Sequence, residues 1–299
     1  MSVPIAYLGI ILIWSTTPLA IQWSTEGTGF ALAVFARMLI GVTVAALVIL
    51  AWRIRFPLHD RARRAYLVGG LGLFIAMALT YWAARYVHSG LISVLFGLSP
   101  LAAGILAALF LGERSLTLLK LLGIALGAAG LATIFLHGDA LGHEHAVAGL
   151  CALIGAVFIY SGCLVWLKRI GDDSPPLATT VGTLAVSLPF FGLVWWFTDG
   201  HLPAMIPPRA GAAIAYLGVF GSVIGFAMYY YVIKHLETSK VALITLITPV
   251  IALLLGHWFN GESIGLRLWF GTATILLGLA VHEWEMLAGL LRPGGRRVG

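Results

Sequence analysis

Few side chains in this sequence can do polar chemistry, and those that can fall in groups. Arg37 is a lone charge inside the apolar run 30–52. A guanidinium at that depth can hold a carboxylate or gate a path, or it can bond the free carbonyls of a broken helix. It lies about a third of the way along its run, so snorkelling to the surface is a further option. An earlier run carries Trp14-Ser15-Thr16-Thr17-Pro18 at its middle. Pro18 removes a backbone donor near Trp14, and the hydroxyls then either re-satisfy the helix or face a ligand. Tyr160-Ser161-Gly162 repeats the aromatic-hydroxyl pattern at matching depth in a later run. With Tyr81 and Tyr230, these rings could wall a pocket with few formal charges, suited to a neutral, zwitterionic or amphipathic small molecule. The competing account is that Ser and Thr bond their own helices and that Trp and Tyr anchor at membrane interfaces.

The elements that must position these groups follow from composition. Hydrophobic residues make up 60% of the chain and charged residues 10%, a balance that leaves a water-soluble surface nothing to be made of. The bilayer is the solvent that fits. Runs long enough to span it are predicted at 3–23, 30–52, 65–87, 91–111, 116–136, 146–167, 176–197, 211–233, 240–259 and 265–287. The expected fold is an all-α polytopic membrane protein with ten transmembrane helices. The first run lacks a basic leader and a small-residue cleavage site, so it reads as a retained anchor.

The chain also repeats itself. Tyr81–Glu113 and Tyr230–Glu262 share a base fifteen residues before a proline (Arg85 and Pro100; Lys234 and Pro249). A small pair follows each base, Ser89-Gly90 and Thr238-Ser239, and a Gly-Glu pair ends each copy, Gly112-Glu113 and Gly261-Glu262. Shared spacing across two apolar segments signals internal duplication. Residues 1–137 form the first predicted repeat and 146–288 the second, with a linker at 138–145 and a basic tail at 289–299. Pro18, Pro100 and Pro249 are the expected hinge or gating positions.

Orientation follows from the basic residues. With a cytoplasmic N-terminus, Arg53, Arg55, Arg61, Arg63, Arg64, Arg114, Lys120, Lys168 and Arg169 fall inside, as do Lys234, Lys240, Arg292, Arg296 and Arg297. Arg85, Arg209 and Arg267 face outward. Both termini are therefore expected in the cytoplasm. Five spans per copy is an odd number, so the copies lie upside down relative to each other. Two inverted five-helix repeats are the plan of many secondary transporters.

These motifs resemble the EamA family of the drug/metabolite transporter superfamily. The resemblance rests on Pro100 with Gly112-Glu113-Arg114, Pro249 with Gly261-Glu262-Ser263, Trp14-Ser15 and Arg37, and it covers about residues 5–285. Two departures stand out: Tyr160-Ser161 replaces a frequent Trp, and the seventh run carries no arginine. The resemblance implies alternating-access export of a small metabolite or drug from the inner (plasma) membrane, with amino acids and derivatives as first substrate. Channel, lipid flippase and importer are the alternatives.

Other classes find no support. No catalytic constellation or phosphate-binding glycine loop appears, so neither an enzyme nor an ATP-driven pump is expected. His137, His143 and His145 share one short loop with no second cluster to complete a metal shell, so no metal or other cofactor is expected. No basic helix suits nucleic acid, despite the net charge of +6. The expected partners are a small-molecule substrate and the lipid bilayer. A coupling proton or other ion is left open, because no acidic residue lies deep in a span. Gly123-x-x-x-Gly127-x-x-Gly130, Gly221-x-x-x-Gly225 and the glycines from Gly271 to Gly278 read as helix-packing faces, which can also join two copies as a homodimer. Glu113 and Glu262 read as helix-end residues beside the next helix's cap.

Overall fold

The computed structural model describes residues 2–111, 117–135, 145–236, 238–284 and 287–288. Glu113, His137, His143 and the tail 289–299 lie outside the described residues, as do the side chains of Tyr230 and Lys234. The described chain is helical: α1 Val3–Thr25, α2 Phe30–Ala51, α3 Asp60–Ala83, α4 Ser89–Phe96, α5 Ser99–Leu111, α6 Leu118–Phe135, α7 Ala146–Ile170 and α8 Pro176–Thr198. There follow α9 Pro208–Tyr216, a π-helical segment Leu217–Ile224, α10 Gly225–His235, α11 Thr238–Asn260 and α12 Leu266–His282. Among the described residues, eight helices are long and apolar enough to cross a membrane, with α4–α5 and α9 through Tyr229 each counting as one. Leu118–Ile134 and Leu266–His282 are shorter apolar helices.

Packing follows small residues, as expected where lipid leaves close contact as the main attraction between helices. α6 lies along α12; a Cβ on Gly123 or Gly130 would come 2.6 Å from the carbonyl oxygen of Gly278 or Gly271. α3 packs on α7 and α8, α2 on α8 and the π segment, and α1 on α9, α10 and α11. α4 crosses α11, and α5 packs on α7. At the α4–α11 crossing a Cβ on Gly90 would sit 2.6 Å from Leu253 Cα. This accounts for the glycine in the first small pair.

The breaks differ from those expected. α1 and α7 are continuous through Pro18 and Tyr160-Ser161. In α1 the reason is local: Thr16 Oγ1 donates to Leu12 O at 2.8 Å and Thr17 Oγ1 to Ile13 O at 2.7 Å, which holds the turn before the proline. The observed interruption is at Gly97–Leu98, between α4 and α5, two residues ahead of Pro100. Pro100 therefore sits in the first turn of α5, where a missing N–H costs nothing. Pro249 instead lies inside the continuous α11. The two proline regions meet, since a Cβ on Gly97 would lie 3.6 Å from Pro249 Cγ.

Candidate functional site

Arg37 is buried, at 6% exposure. Its Nε donates to Ser222 Oγ at 3.2 Å and its Nη1 to Tyr81 Oη at 3.3 Å. Three helices meet there, because Tyr81 belongs to α3 and Ser222 to the π segment. Ser222 Oγ in turn donates to Leu217 O at 3.0 Å, five residues back, bridging the widened turn that a π helix makes. Nη2 faces Gly221, whose added Cβ would lie 3.4 Å from it. Among the described residues no carboxylate lies within ion-pair distance of Arg37. The site is a buried cation held by neutral oxygens.

The helix that carries Ser222 also receives α1. Thr16 Oγ1 and Tyr216 Oη are 2.6 Å apart, and Tyr216 stacks on Phe220 with ring centres 5.4 Å apart. Trp14 lies against Tyr229, centres 4.9 Å apart. So Thr16, Arg37 and Trp14 meet one helical column at Tyr216, Ser222 and Tyr229, each about two turns from the next. Ser15 is fully buried, and among the described residues its hydroxyl has no hydrogen-bond partner.

Tyr160 and Ser161 attach to a different feature, the α4–α5 interruption. Ser161 Oγ donates to Ser99 O at 3.1 Å, and Tyr160 meets Phe96 edge-on, centres 6.0 Å apart. A groove of about 430 Å³ lies elsewhere again, at the start of α1, lined by Val3, Pro4, Tyr7, Leu8, Leu236 and Leu243. None of the polar candidates lines it.

At one end of the molecule, helix ends are tied together by a network the sequence did not announce. Gln22 Nε2 donates to Val87 O at 2.6 Å and Ala84 O at 3.2 Å, tying α1 to the α3–α4 turn. Asn260 Nδ2 donates to Gln22 Oε1 at 3.0 Å and to Glu262 Oε1 at 3.1 Å. Glu262 Oε1 also accepts from Ser89 N at 2.9 Å. The buried Glu262 therefore serves the N-terminus of α4, where a negative charge meets free N–H groups. Glu262 stands just past the end of α11, as expected of a helix-end residue, but the cap of α12 is Gly265 and the helix start that Glu262 serves is that of α4. Gln22 and Asn260 could have been found as lone amides at the ends of apolar runs. Tyr216 and Ser222 carried no such signal.

The EamA-like transporter family matches residues 1–136 and 147–282. The chain belongs to that family. Relatives include Protein PagO of Salmonella typhimurium, 25% identical over 268 residues, covering 88% of this chain and 87% of that protein. A probable terminal-alkyne amino-acid exporter of Streptantibioticus cattleyicolor is 25% identical, covering 84% and 83%. The uncharacterized inner membrane transporter YedA of Escherichia coli is 25% identical, covering 92% and 89%. One crystal structure superposes with a TM-score of 0.65 at 22% identity, over 96% of this chain and 99% of that one; at that identity the likeness concerns the fold. This EamA chain is thus a multi-pass membrane protein of a transporter family.

Proposed function

We propose that this protein is a secondary transporter that exports a small carboxylate-bearing metabolite, an amino acid or derivative, from the cytoplasm by alternating access. The observation that carries the reading is Arg37, buried among Tyr81 and Ser222 with no carboxylate partner among the described residues. A charge in that environment is costly unless it has work to do. A substrate carboxylate would supply the missing counter-charge, with Trp14, Thr16 and Tyr81 as polar and aromatic walls. Tyr160 and Ser161, at the α4–α5 interruption beside Pro249, belong to the moving part, and Ser15, Pro18 and Tyr230 stay assigned to the central path. The relative named as an amino-acid exporter agrees with this substrate class.

Ten spans in two inverted repeats complete the reading, counting α4–α5 and α9–α10 as one span each and including α6 and α12. Packing supports it. Exchanging each span for its counterpart five later turns α3 on α7 into α9–α10 on α1, α3 on α8 into α9–α10 on α2, and α5 on α7 into α11 on α1; all six contacts occur. The pairs α2–α8, α4–α11 and α6–α12 map onto themselves. The basic residues put both termini in the cytoplasm, so the Gln22–Asn260–Glu262 network closes the outer end.

The test is mass spectrometry of the medium from cells overproducing the protein, against Trp14→Ala/Arg37→Ala matched for membrane expression. Accumulation of an amino acid or related carboxylate with the intact protein alone is the expected result. Equal export by both forms would remove Arg37 and Trp14 from the path. Counterflow in proteoliposomes separates a carrier, which shows it, from a channel, which does not.

A further inference from the structure

The turn between α2 and α3 carries a charge pattern that transport does not use. Residues 52–64 read Trp-Arg-Ile-Arg-Phe-Pro-Leu-His-Asp-Arg-Ala-Arg-Arg. Arg53, Arg55, Arg61, Arg63 and Arg64 are all exposed, and among the described residues none of them forms an ion pair. Beside and between them stand exposed apolar side chains: Trp52, Leu58 and Phe56 at 71%, 57% and 39%.

The backbone beneath is pinned. Arg53 takes a left-handed turn at φ 50, and Ile54 N reaches back to Ile49 O at 3.0 Å. Phe56 stacks on Tyr66, centres 5.3 Å apart, and Tyr66 Oη donates to Pro57 O at 2.9 Å. His59 Nδ1 accepts from Ala62 N at 3.2 Å, capping α3, while its Nε2 lies 3.7 Å from Asp172 Oδ1 in the α7–α8 turn. Orientation by positive charge needs basic residues on one side. It requires neither five arginines without a single lysine, nor apolar side chains between them, nor a fixed loop.

We propose that the 52–64 loop is a binding site for the headgroups of anionic phospholipids. The guanidinium groups take the phosphates, for which their planar fork is suited, while Trp52 and Leu58 enter the acyl boundary at the end of α2. Charge complementarity selects the anionic lipid. The apolar side chains at the bilayer edge select a lipid over a soluble polyanion.

The test titrates the purified full-length protein in detergent with phosphatidylglycerol or phosphatidylcholine of identical acyl chains, counting bound lipids by native mass spectrometry. Phosphatidylglycerol should bind at the lower concentration. Arg55→Gln/Arg63→Gln should raise its half-saturating concentration about thirty-fold, which is what two contacts of about 1 kcal/mol each amount to. Arg55→Lys/Arg63→Lys keeps both charges and checks folding but lacks the planar fork, so its loss should fall between, at about three- to tenfold. Equal binding of the two lipids, an unchanged Gln variant, or full competition by inorganic phosphate would each overturn the proposal.

Discussion

Removing one hydroxyl from each of two corresponding serines should lower stability at one and not at the other. Ser161 and Ser15 each follow the aromatic residue in the middle of α7 and α1, and both are fully buried. Ser161 Oγ donates across helices to Ser99 O at 3.1 Å, whereas Ser15 Oγ has no partner among the described residues. Ser99 is the first residue of α5, so its helix already engages one lone pair of that carbonyl and Ser161 takes the second. The cost of Ser161→Ala therefore falls near the low end for a buried hydrogen bond, about 0.5–1 kcal/mol, in line with interhelical bonds measured in membranes. Ser15→Ala deletes a buried hydroxyl that bonds nothing, so it should be neutral or stabilising by up to about 1 kcal/mol. Both variants lose one oxygen from a tight environment, which cancels most of the packing change. The assay is unfolding by sodium dodecyl sulfate in mixed micelles, followed by circular dichroism. A loss in Ser15→Ala as large as in Ser161→Ala would refute the assignment of the two hydroxyls.

Three more outcomes follow from the geometry. Gly256→Ala would drive a Cβ into the Glu262 carboxylate and to 2.6 Å from Ser89 Oγ, and should destabilise by about 1–3 kcal/mol; unfolding as above checks it. Glu262→Gln keeps an acceptor for Ser89 N but loses the charge at the start of α4, which should cost about 0.5–1 kcal/mol, with faster amide exchange at residues 89–92. Gly278→Leu should disrupt the α6–α12 seam, where a Cβ alone would already sit 2.6 Å from Gly123 O. Loss of the folded peak in size-exclusion chromatography is the expected readout, and a normal peak would contradict that packing.

What the sequence made legible was length, repetition and charge; what it hid was which faces meet. In a soluble helix the apolar stripe points to the core, but in a bilayer the lipid-facing side is apolar as well. Leu91 and Leu95 are fully buried while Leu109 and Phe110 are exposed at 72% and 55%, and nothing in their residue types separates the two pairs. For the same reason Arg37 and Tyr81 were recognisable as candidates without being recognisable as partners, and Ser222 was lost among small residues in a glycine-rich run. The proline rule located the region of the α4–α5 break but not its form. Pro100 excludes a bond to residue 96, and the structure relieves this by ending one helix and starting another, whereas α11 keeps Pro249 inside an unbroken helix.

The repeated motif shows where that limit has consequences. Read along the chain, Ser89-Gly90 and Gly112-Glu113 belong to one copy, Thr238-Ser239 and Gly261-Glu262 to the other. In three dimensions the pairing crosses between copies: Glu262 of the second accepts from Ser89 N of the first, and Gly90 of the first lies against Leu253 of the second. Ser89-Gly90 of the first copy and Glu262 of the second are therefore explained by partners in the opposite copy, and neither repeat could form this contact alone. A carboxylate on α4's first turn holds only while α4 and α11 stay crossed, and Asn260 and Gln22 extend the same bond chain to α1. Any motion that separates α4 from α11 at this end must break the Ser89–Glu262 bond, and with it either the Gln22–Asn260 bond or the bonds of Gln22 to the α3–α4 turn. The Glu262→Gln and Gly256→Ala variants, which act on that bond chain from two sides, should then shift the same equilibrium: both should raise the labelling rate of a cysteine placed at Ser89 by a membrane-impermeant thiol reagent. A rise in one variant without the other would mean that the network does not act as a unit.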